Sequence, residues 1–233
     1  KYYMYKNNKI LVIIPARSGS KGIKNKNIKK IKKKPLLSYS IIYAKKCKLV
    51  DEIIVSTEST KYAKIAKKFG AKVPFLRTKK LAGDKIQDYP VILECLIKSE
   101  KFFKTKFNYI ILLRPTSPFR ESKLIERGLK KLHNSKISSS VRSVVNTKIH
   151  PYRHWKINKY GKMESIIKNK KEPYNIPRQQ LPKLFFQSGD IEVIKRKTIF
   201  KGSVSGNYVQ PLIVKSYKDI DAISDLKKNA YNG

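Results

Sequence analysis

The chain has 233 residues, of which 40% are hydrophobic, and its mean hydropathy is -0.48. This suits one domain with a real core, and no apolar stretch approaches the roughly 18 residues of a membrane span. The net charge of +38 comes from lysines spread from end to end, which favours solvated surface over a nucleic-acid site. No apolar run follows the N-terminal charges, so no signal peptide is indicated and a cytoplasmic protein is predicted.

Apolar runs alternate with helical patterns along the first part of the chain. Strands are predicted at Lys9–Ile14, Glu52–Ser56, Lys72–Leu76, Asn108–Leu113 and Ser138–Asn146. Helices are predicted at Pro35–Lys48, Ser59–Phe69, Gln87–Phe103 and Ser122–Leu132. This order predicts an α/β sandwich around a largely parallel sheet.

The regular alternation ends after about Lys148. Residues 149–185 are rich in Pro, Lys, Asn and Tyr and have little periodicity, which predicts an inserted segment. Regular structure returns in FFQSGDIEVI and NYVQPLIV, and a last helix is predicted after DIDAISDL. Without an internal repeat, residues 1–233 are interpreted as one domain that carries an insertion at about 149–185.

The loop after the first strand, PARSGSKGIKNKN (15–27), is the clearest candidate for an anion-binding site. Its two glycines allow backbone N–H groups to turn toward an anion. Arg17 and Lys21 add positive charge, and Ser20 adds a hydroxyl donor. The spacing matches neither GxxxxGK[ST] nor GxGxxG, and a cationic surface turn is the alternative.

A second candidate is the pair Asp219 and Asp221, which follows the apolar run LIV. Carboxylates on either side of one residue point to the same face of an extended segment. Carboxylate oxygens suit Mg²⁺, which also bridges nucleotide phosphates. The pair therefore predicts a magnesium site, with capping of the last helix by Asp221 or Ser224 as the alternative.

Two further loops carry polar groups. RPTSPFR (114–120) follows the strongest apolar run, at the end of a strand where α/β proteins bind ligands. PRQQLPK (177–183) lies in the insertion, and its Arg178 has the planar fork that pairs with carboxylates. Rigid connecting loops are the alternative interpretation of both.

Taken together, the motifs IPARSGSKGIKNKN, FLRTKKLAGD, LLRPTSPFR, PRQQLP and DIDAISDL resemble the acylneuraminate cytidylyltransferases, in the order of that family. These are the CMP-sialic acid synthetases and their relatives for legionaminic and pseudaminic acids. The resemblance runs from Ile10 to Asp225. It implies a Rossmann-like three-layer α/β/α fold of the nucleotide-diphospho-sugar transferase type, with a mostly parallel mixed sheet and an inserted dimerisation element.

The resemblance also implies a homodimer and a reaction. CTP is joined to a nine-carbon 2-keto sugar acid, and pyrophosphate is released when the anomeric oxygen attacks the α-phosphorus. Such a transfer depends on positioning and charge stabilisation more than on covalent help. Magnesium is the implied cofactor, CTP and a nonulosonic acid are the implied substrates, and nucleic acid is not an expected partner.

Site residues follow from the matching positions. The implied catalytic residues are Arg17, Lys21, Asp219 and Asp221, with the two aspartates holding the metal. The implied nucleotide-binding residues are Arg17, Ser20, Lys21, Asn27, Arg77 and Arg114. The implied sugar-binding residues are Arg153, Arg178 and Gln179, and the partner subunit is expected to contribute at this side.

Two departures from the family bear on the substrate. At the position of Arg114, the sialic acid enzymes usually have Gln. That Gln helps to recognise the base or the sugar. Their Arg-x-Asn-Gly-Ala is replaced by the segment 186–190, FQSGD. Three alternatives remain open: a cytidylyltransferase for an eight-carbon keto sugar acid, an inactive nucleotide-binding relative, and a basic RNA-binding protein.

Overall fold

The computed structural model describes residues 7–20, 22–220 and 224–225. The strands are β1 (Ile10–Pro15), β2 (Lys30–Ile31), β3 (Lys34–Pro35), β4 (Glu52–Ser56), β5 (Tyr109–Leu112), β6 (Ser140–Asn146), β7 (Trp155–Ile157), β8 (Met163–Ser165), β9 (Phe185–Lys195) and β10 (Val209–Ile213). The helices are α1 (Leu36–Lys45), α2 (Thr60–Lys68), α3 (Asp88–Phe103), α4 (Leu124–His133) and α5 (Arg196–Phe200). Within the described residues, every helix is too short or too polar to span a membrane.

Six strands form one sheet in the order β10-β6-β9-β5-β1-β4. β1 pairs in parallel with β4 and β5, and β10 pairs in parallel with β6. β9 lies between β5 and β6 and is antiparallel to both. The mostly parallel mixed sheet predicted from the sequence is confirmed, and β9 is the strand that makes it mixed.

The side chains of β1 explain the three layers. All of its residues from Ile10 to Ile14 are fully buried, as expected of a central parallel strand. Ile10, Val12 and Ile14 pack into one core with α1, α2 and α4. Leu11 and Ile13 point the other way, into a second core with α3 and α5. Helices therefore cover both faces of the sheet, and the α/β/α fold is confirmed.

The predicted strand at Lys72–Leu76 is wrong. Lys72 makes a single parallel bridge to Ile54, and the pairing does not continue into residues 73–76. Pro74 explains the difference, because it lacks the N–H that a continuing ladder requires. The segment instead turns toward the cleft and ends at Arg77, whose backbone N–H donates to the Thr57 carbonyl at 2.9 Å.

Residues 147–184 join β6 to β9 and add no strand to the main sheet within the described residues. They contain the antiparallel hairpin of β7 and β8 and three short 3-10 turns. Arg153 binds two carbonyls of this segment, with Nη1 3.0 Å from Tyr174 O and Nη2 3.2 Å from Ile176 O. The segment at 149–185, predicted as an insertion, is thus a small substructure beside the sheet.

Candidate active site

The carboxyl ends of β1, β4 and β5 meet at one edge of the sheet, where a cleft of about 210 Å³ opens. Five of the six predicted nucleotide-binding residues line it: Arg17, Ser20, Asn27, Arg77 and Arg114. The sixth, Lys21, lies outside the described residues. Residues from three separate loops therefore share one concave surface, at the edge where open α/β sheets bind their ligands.

The loop after β1 is held from two sides. Asn27 is buried, and its Nδ2 donates to the Arg17 carbonyl at 3.0 Å. Glu58, just after β4, accepts from the Ser18 backbone N–H at 2.7 Å and from its hydroxyl at 2.6 Å. These contacts fix the loop that carries Arg17 and Ser20 along the cleft. The sequence analysis did not identify Glu58, although it lies two residues after the end of a predicted strand.

The guanidinium of Arg17 forms an ion pair with Asp84, and both side chains are partly exposed. Asp84 is the last residue of the segment LAGD, which lies between Arg77 and helix α3. A phosphate that reaches Arg17 must therefore share it with this carboxylate or displace it. The sequence analysis quoted this stretch without giving Asp84 a role.

Arg77 is only 6% exposed, and its guanidinium faces the end of β4. Its Nε donates to Ser56 Oγ at 3.0 Å, and its Nη2 donates to Ser56 O at 2.6 Å. Burial lowers the pKa of Arg77, and the nearby charge of Glu58 opposes that shift. Because its bonded partners are neutral, Arg77 contributes net positive charge to the wall of the cleft.

Arg114 follows β5 and is bound by two carboxylates. Its Nη2 lies 2.6 Å from Asp88 Oδ2 and 2.8 Å from Glu192 Oε1. Glu192 belongs to β9, is 2% exposed, and also pairs with Arg142 at 2.8 Å. Burial opposes the charge of Arg114, but the two carboxylates outweigh it and hold the pKa of the guanidinium above its usual range.

Asp219 lies beside the same edge of the sheet. The N–H of the next residue, Ile220, donates to Thr116 O at 2.8 Å, and Thr116 lines the cleft. The charge of Asp219 acts on Arg120 and on Asp190, a buried carboxylate whose pKa is raised by burial and then by Asp219. Asp221 lies outside the described residues, and the described residues hold no cluster of three potential metal ligands.

Arg120 connects the elements around Asp219. This half-buried guanidinium donates to the carbonyls of Asp190 and Arg114 and to Ser40 Oγ. It therefore ties helix α1, the loop after β5 and strand β9 together at one point. The RPTSPFR loop is consequently a fixed wall of the cleft.

The three predicted sugar-binding residues lie apart from the cleft. Arg153, Arg178 and Gln179 are all exposed, and they belong to the segment between β6 and β9. None of them lines the cleft as the described residues of one chain define it. Their role in sugar binding stays a prediction.

Comparisons with known proteins show which family the chain belongs to. A model of the family described as cytidylyltransferase matches residues 11–200. The post-translational flagellin modification protein B of Campylobacter coli is 34% identical over 220 residues, which are 94% of this chain and 92% of that protein. The CMP-N,N'-diacetyllegionaminic acid synthase of Campylobacter jejuni is 35% identical over 222 residues, 93% of this chain and 91% of that protein.

A solved structure of CMP:2-keto-3-deoxy-manno-octonic acid synthetase complexed with CTP shares the fold, with a TM-score of 0.70 at 16% identity. It covers 95% of this chain and 96% of that one. The fold is thus the one that this nucleotidyltransferase has, and the match to the family model assigns the chain to the same class of enzyme. More particularly, the chain belongs to the cytidylyltransferase family, and the resemblance to the acylneuraminate cytidylyltransferases is confirmed.

Proposed function

We propose that this protein transfers CMP from CTP to the anomeric hydroxyl of a sialic-acid-like nonulosonic acid. The observation that carries the proposal is the gathering of Arg17, Ser20, Asn27 and Arg77 around one cleft, beside the segment of Asp219. The full-length relatives support the substrate class, because their names include a CMP-nonulosonate synthase.

In this reaction the anomeric oxygen forms a bond to the α-phosphorus of CTP. The bond from the α-phosphorus to the bridging oxygen breaks, and pyrophosphate leaves as the hydroxyl proton passes to solvent. Arg17 and Arg77 supply positive charge on the nucleotide side of the cleft, and Ser20 supplies a hydroxyl donor. Fixed donors of this kind stabilise charge that develops on the phosphate during transfer.

The proposal includes Mg²⁺ as cofactor. Asp219 offers the hard carboxylate oxygen that this ion prefers, and its segment is anchored to the cleft through Thr116. Mg²⁺ keeps few protein ligands and takes others from nucleotide phosphates, so one or two carboxylates are sufficient. When bound, the ion neutralises phosphate charge. Asp219, together with Asp221, is the proposed ligand set.

We also propose a homodimer that works in the cytoplasm, the compartment that supplies CTP. The insertion presents several large apolar side chains to solvent, among them Ile157, Tyr160 and Met163. Exposed apolar groups of this kind indicate a protein interface. A partner chain at this surface would bring the insertion, with Arg178 and Gln179, toward the sugar side of a cleft.

The test is pyrophosphate release from CTP across a panel of nonulosonic acids and eight-carbon keto acids, with Mg²⁺ and then with chelator. We expect release with at least one nonulosonic acid, and its loss on metal removal. Arg17→Ala should lower kcat/KM by at least about 100-fold, as for a lost donor to developing charge. Arg127→Ala, an exposed arginine on α4, is the matched control and should keep its activity.

No release with any nonulosonic acid would overturn the proposed substrate class. Release with the eight-carbon acids alone would assign the protein to the other sugar. Unchanged activity of Arg17→Ala would remove Arg17 from the site.

A further inference from the structure

Arg114 is the arginine of the cleft that the proposed nucleotide role explains least. Of the three arginines that line the cleft, it alone is bonded to two carboxylates among the described residues. Both carboxylates bind its Nη2, and Nη1 makes no hydrogen bond to the described residues. The guanidinium is thus anchored at one nitrogen and keeps donors for a ligand.

The stem of Arg114 is also held in place. Gly189 in β9 has a φ of +73°, and a Cβ built there would lie 3.6 Å from Arg114 Cδ. That distance is an ordinary van der Waals contact, so the β9 backbone packs against the stem of Arg114, and the positive φ is what favours glycine at position 189. The carbonyl of Arg114 accepts from Ser40 Oγ at 3.1 Å and from Arg120. Backbone, stem and head are all fixed, as a directional receptor requires.

We propose that Arg114 binds the carboxylate of the acceptor sugar and makes the enzyme select acid sugars over neutral ones. This inference rests on the proposed function, because it names the part of the acceptor that one residue reads. It moves Arg114 from the implied nucleotide-binding residues, among which the sequence analysis placed it, to the acceptor.

Charge decides between the two substrates. Arg114 and Arg142 carry two positive charges, and Asp88 and Glu192 carry two negative ones, so the four groups together are neutral. Asp88 repels any anion, and the repulsion grows with the charge of the anion, so a triphosphate is disfavoured more strongly than a single carboxylate at this neutral group. A carboxylate has one charge and is well served by directional N–H donors from a fixed guanidinium.

The chemistry of the acceptor fits the position of Arg114. In a 2-keto sugar acid, the carboxyl group is bonded to the anomeric carbon that carries the attacking hydroxyl. Holding the carboxylate therefore also holds the attacking oxygen. Arg114 lies two residues from Thr116, which anchors the segment of the proposed metal ligand Asp219. This arrangement would place the acceptor hydroxyl beside the phosphate that it attacks.

The experiment compares a nonulosonic acid with its methyl ester, which lacks the negative charge. The ratio of their kcat/KM values is measured in the wild type, Arg114→Gln and Arg114→Lys. We expect the wild type to prefer the acid, and Arg114→Gln to reduce this preference about tenfold or more, because a charge-assisted hydrogen bond is lost. Arg114→Lys should not restore it, because its single nitrogen stays engaged by Asp88 and Glu192.

Calorimetry measures the Kd of CTP for each variant, and of the acid in the presence of a non-hydrolysable CTP analogue. We expect the Kd of CTP to stay within about twofold and the Kd of the acid to rise in Arg114→Gln. Arg127→Gln removes a positive charge outside the cleft and should leave both values unchanged.

An unchanged preference for the acid in Arg114→Gln, or a larger effect on CTP than on the acid, would overturn the inference but leave the proposed function standing. Absence of turnover with every acid would overturn the proposed function. In that case the Kd of the acid still tests the inference about Arg114. The inference is refuted if the wild type does not bind the acid, or if Arg114→Gln binds the acid as tightly as the wild type does.

Discussion

At the residue scale, the backbone is strained in the turn between β2 and β3, because neither turn position is occupied by Gly or Asn. Lys32 and Lys33 join the two strands, and their φ values are 45° and 66°. Two-residue hairpin turns of this kind need positive φ at both positions, which favours Asn and Gly. A lysine side chain in this region costs about 1–2 kcal/mol.

We therefore expect Lys33→Gly to raise the free energy of unfolding by about 0.5 kcal/mol. Glycine removes the strain of the folded state, but it also raises the conformational entropy of the unfolded chain. The second effect is smaller, so it cancels only part of the stabilisation. Urea denaturation measures the difference. Lys30→Gly, three residues earlier and outside the positive-φ region, is the control and should destabilise the protein. A lower stability of Lys33→Gly would contradict the strain argument.

The residues of the candidate site were predictable to different degrees. Each of the cleft residues comes after a predicted strand, and the carboxyl ends of parallel strands share one edge of the sheet. The sequence therefore predicts that these residues lie close together, and they are Arg17, Ser20, Asn27, Arg77 and Arg114. Their acidic partners could not. Glu192 reaches Arg114 only because β9 inserts between β5 and β6, and no local pattern specifies that pairing.

At the element scale, α3, α5 and the segment before β5 are joined by one carboxylate. Glu100 near the end of α3 binds Arg196 through two bonds of 2.7 and 2.8 Å. It also accepts from the Phe107 backbone N–H at 3.0 Å. Burial opposes the ionisation of Glu100, but the bonds from Arg196 and Phe107 outweigh it, so the pKa of Glu100 lies below its usual range.

We expect Glu100→Gln to lower the free energy of unfolding by about 1.5–3 kcal/mol at neutral pH, the range for hydrogen bonds to charged groups. Because the folded pKa is depressed, the contribution of Glu100 is complete above the ordinary glutamate range. It is lost as the pH falls through the folded pKa. The difference between wild type and variant should therefore shrink on acidification.

Thermal or urea unfolding between neutral and acidic pH measures this dependence. Glu52→Gln is the matched control, because the partner of Glu52, Lys72, is more than half exposed and such surface pairs contribute about 0–1 kcal/mol. A pH-independent difference for Glu100→Gln would show that shape, and not charge, accounts for the loss.

Elements were predictable where the pattern is local. Strands β1, β4 and β6 and helices α2 and α3 match their predicted segments closely, because an apolar run or an amphipathic face dictates each of them. Lys72–Leu76 failed as a strand, because Pro74 interrupts a run that is otherwise suitable. The last helix, predicted after DIDAISDL, lies outside the described residues.

At the scale of the whole molecule, the large positive charge has a use that does not require nucleic acid. The chain carries 54 Lys and Arg residues against 16 Asp and Glu residues. Both proposed substrates, CTP and a sugar acid, are anions. A strongly basic surface raises the local concentration of anions and their association rate. The scattered lysines therefore fit long-range attraction, while the few arginines of the cleft fit recognition.

The proposed dimer is also argued at this scale. An isolated two-stranded hairpin is marginally stable, yet β7 and β8 pair with each other and join no other strand among the described residues. The hairpin also exposes Ile157, Tyr160 and Met163. Burial of these groups against a second chain would supply the stabilisation that the hairpin lacks on its own.

Light scattering should therefore give a mass near twice the 27.0 kDa of the chain. Ile157→Asp should shift the protein toward monomers, because a charge on an apolar interface loses burial and remains without a partner. Ile137→Asp is a matched control, since both isoleucines are 69% exposed and Ile137 lies outside the insertion. If Ile157→Asp keeps the dimer mass, the hairpin is not the interface. A monomeric wild type would refute the dimer itself, and the exposed sugar-side residues Arg178 and Gln179 would then have to act within one chain.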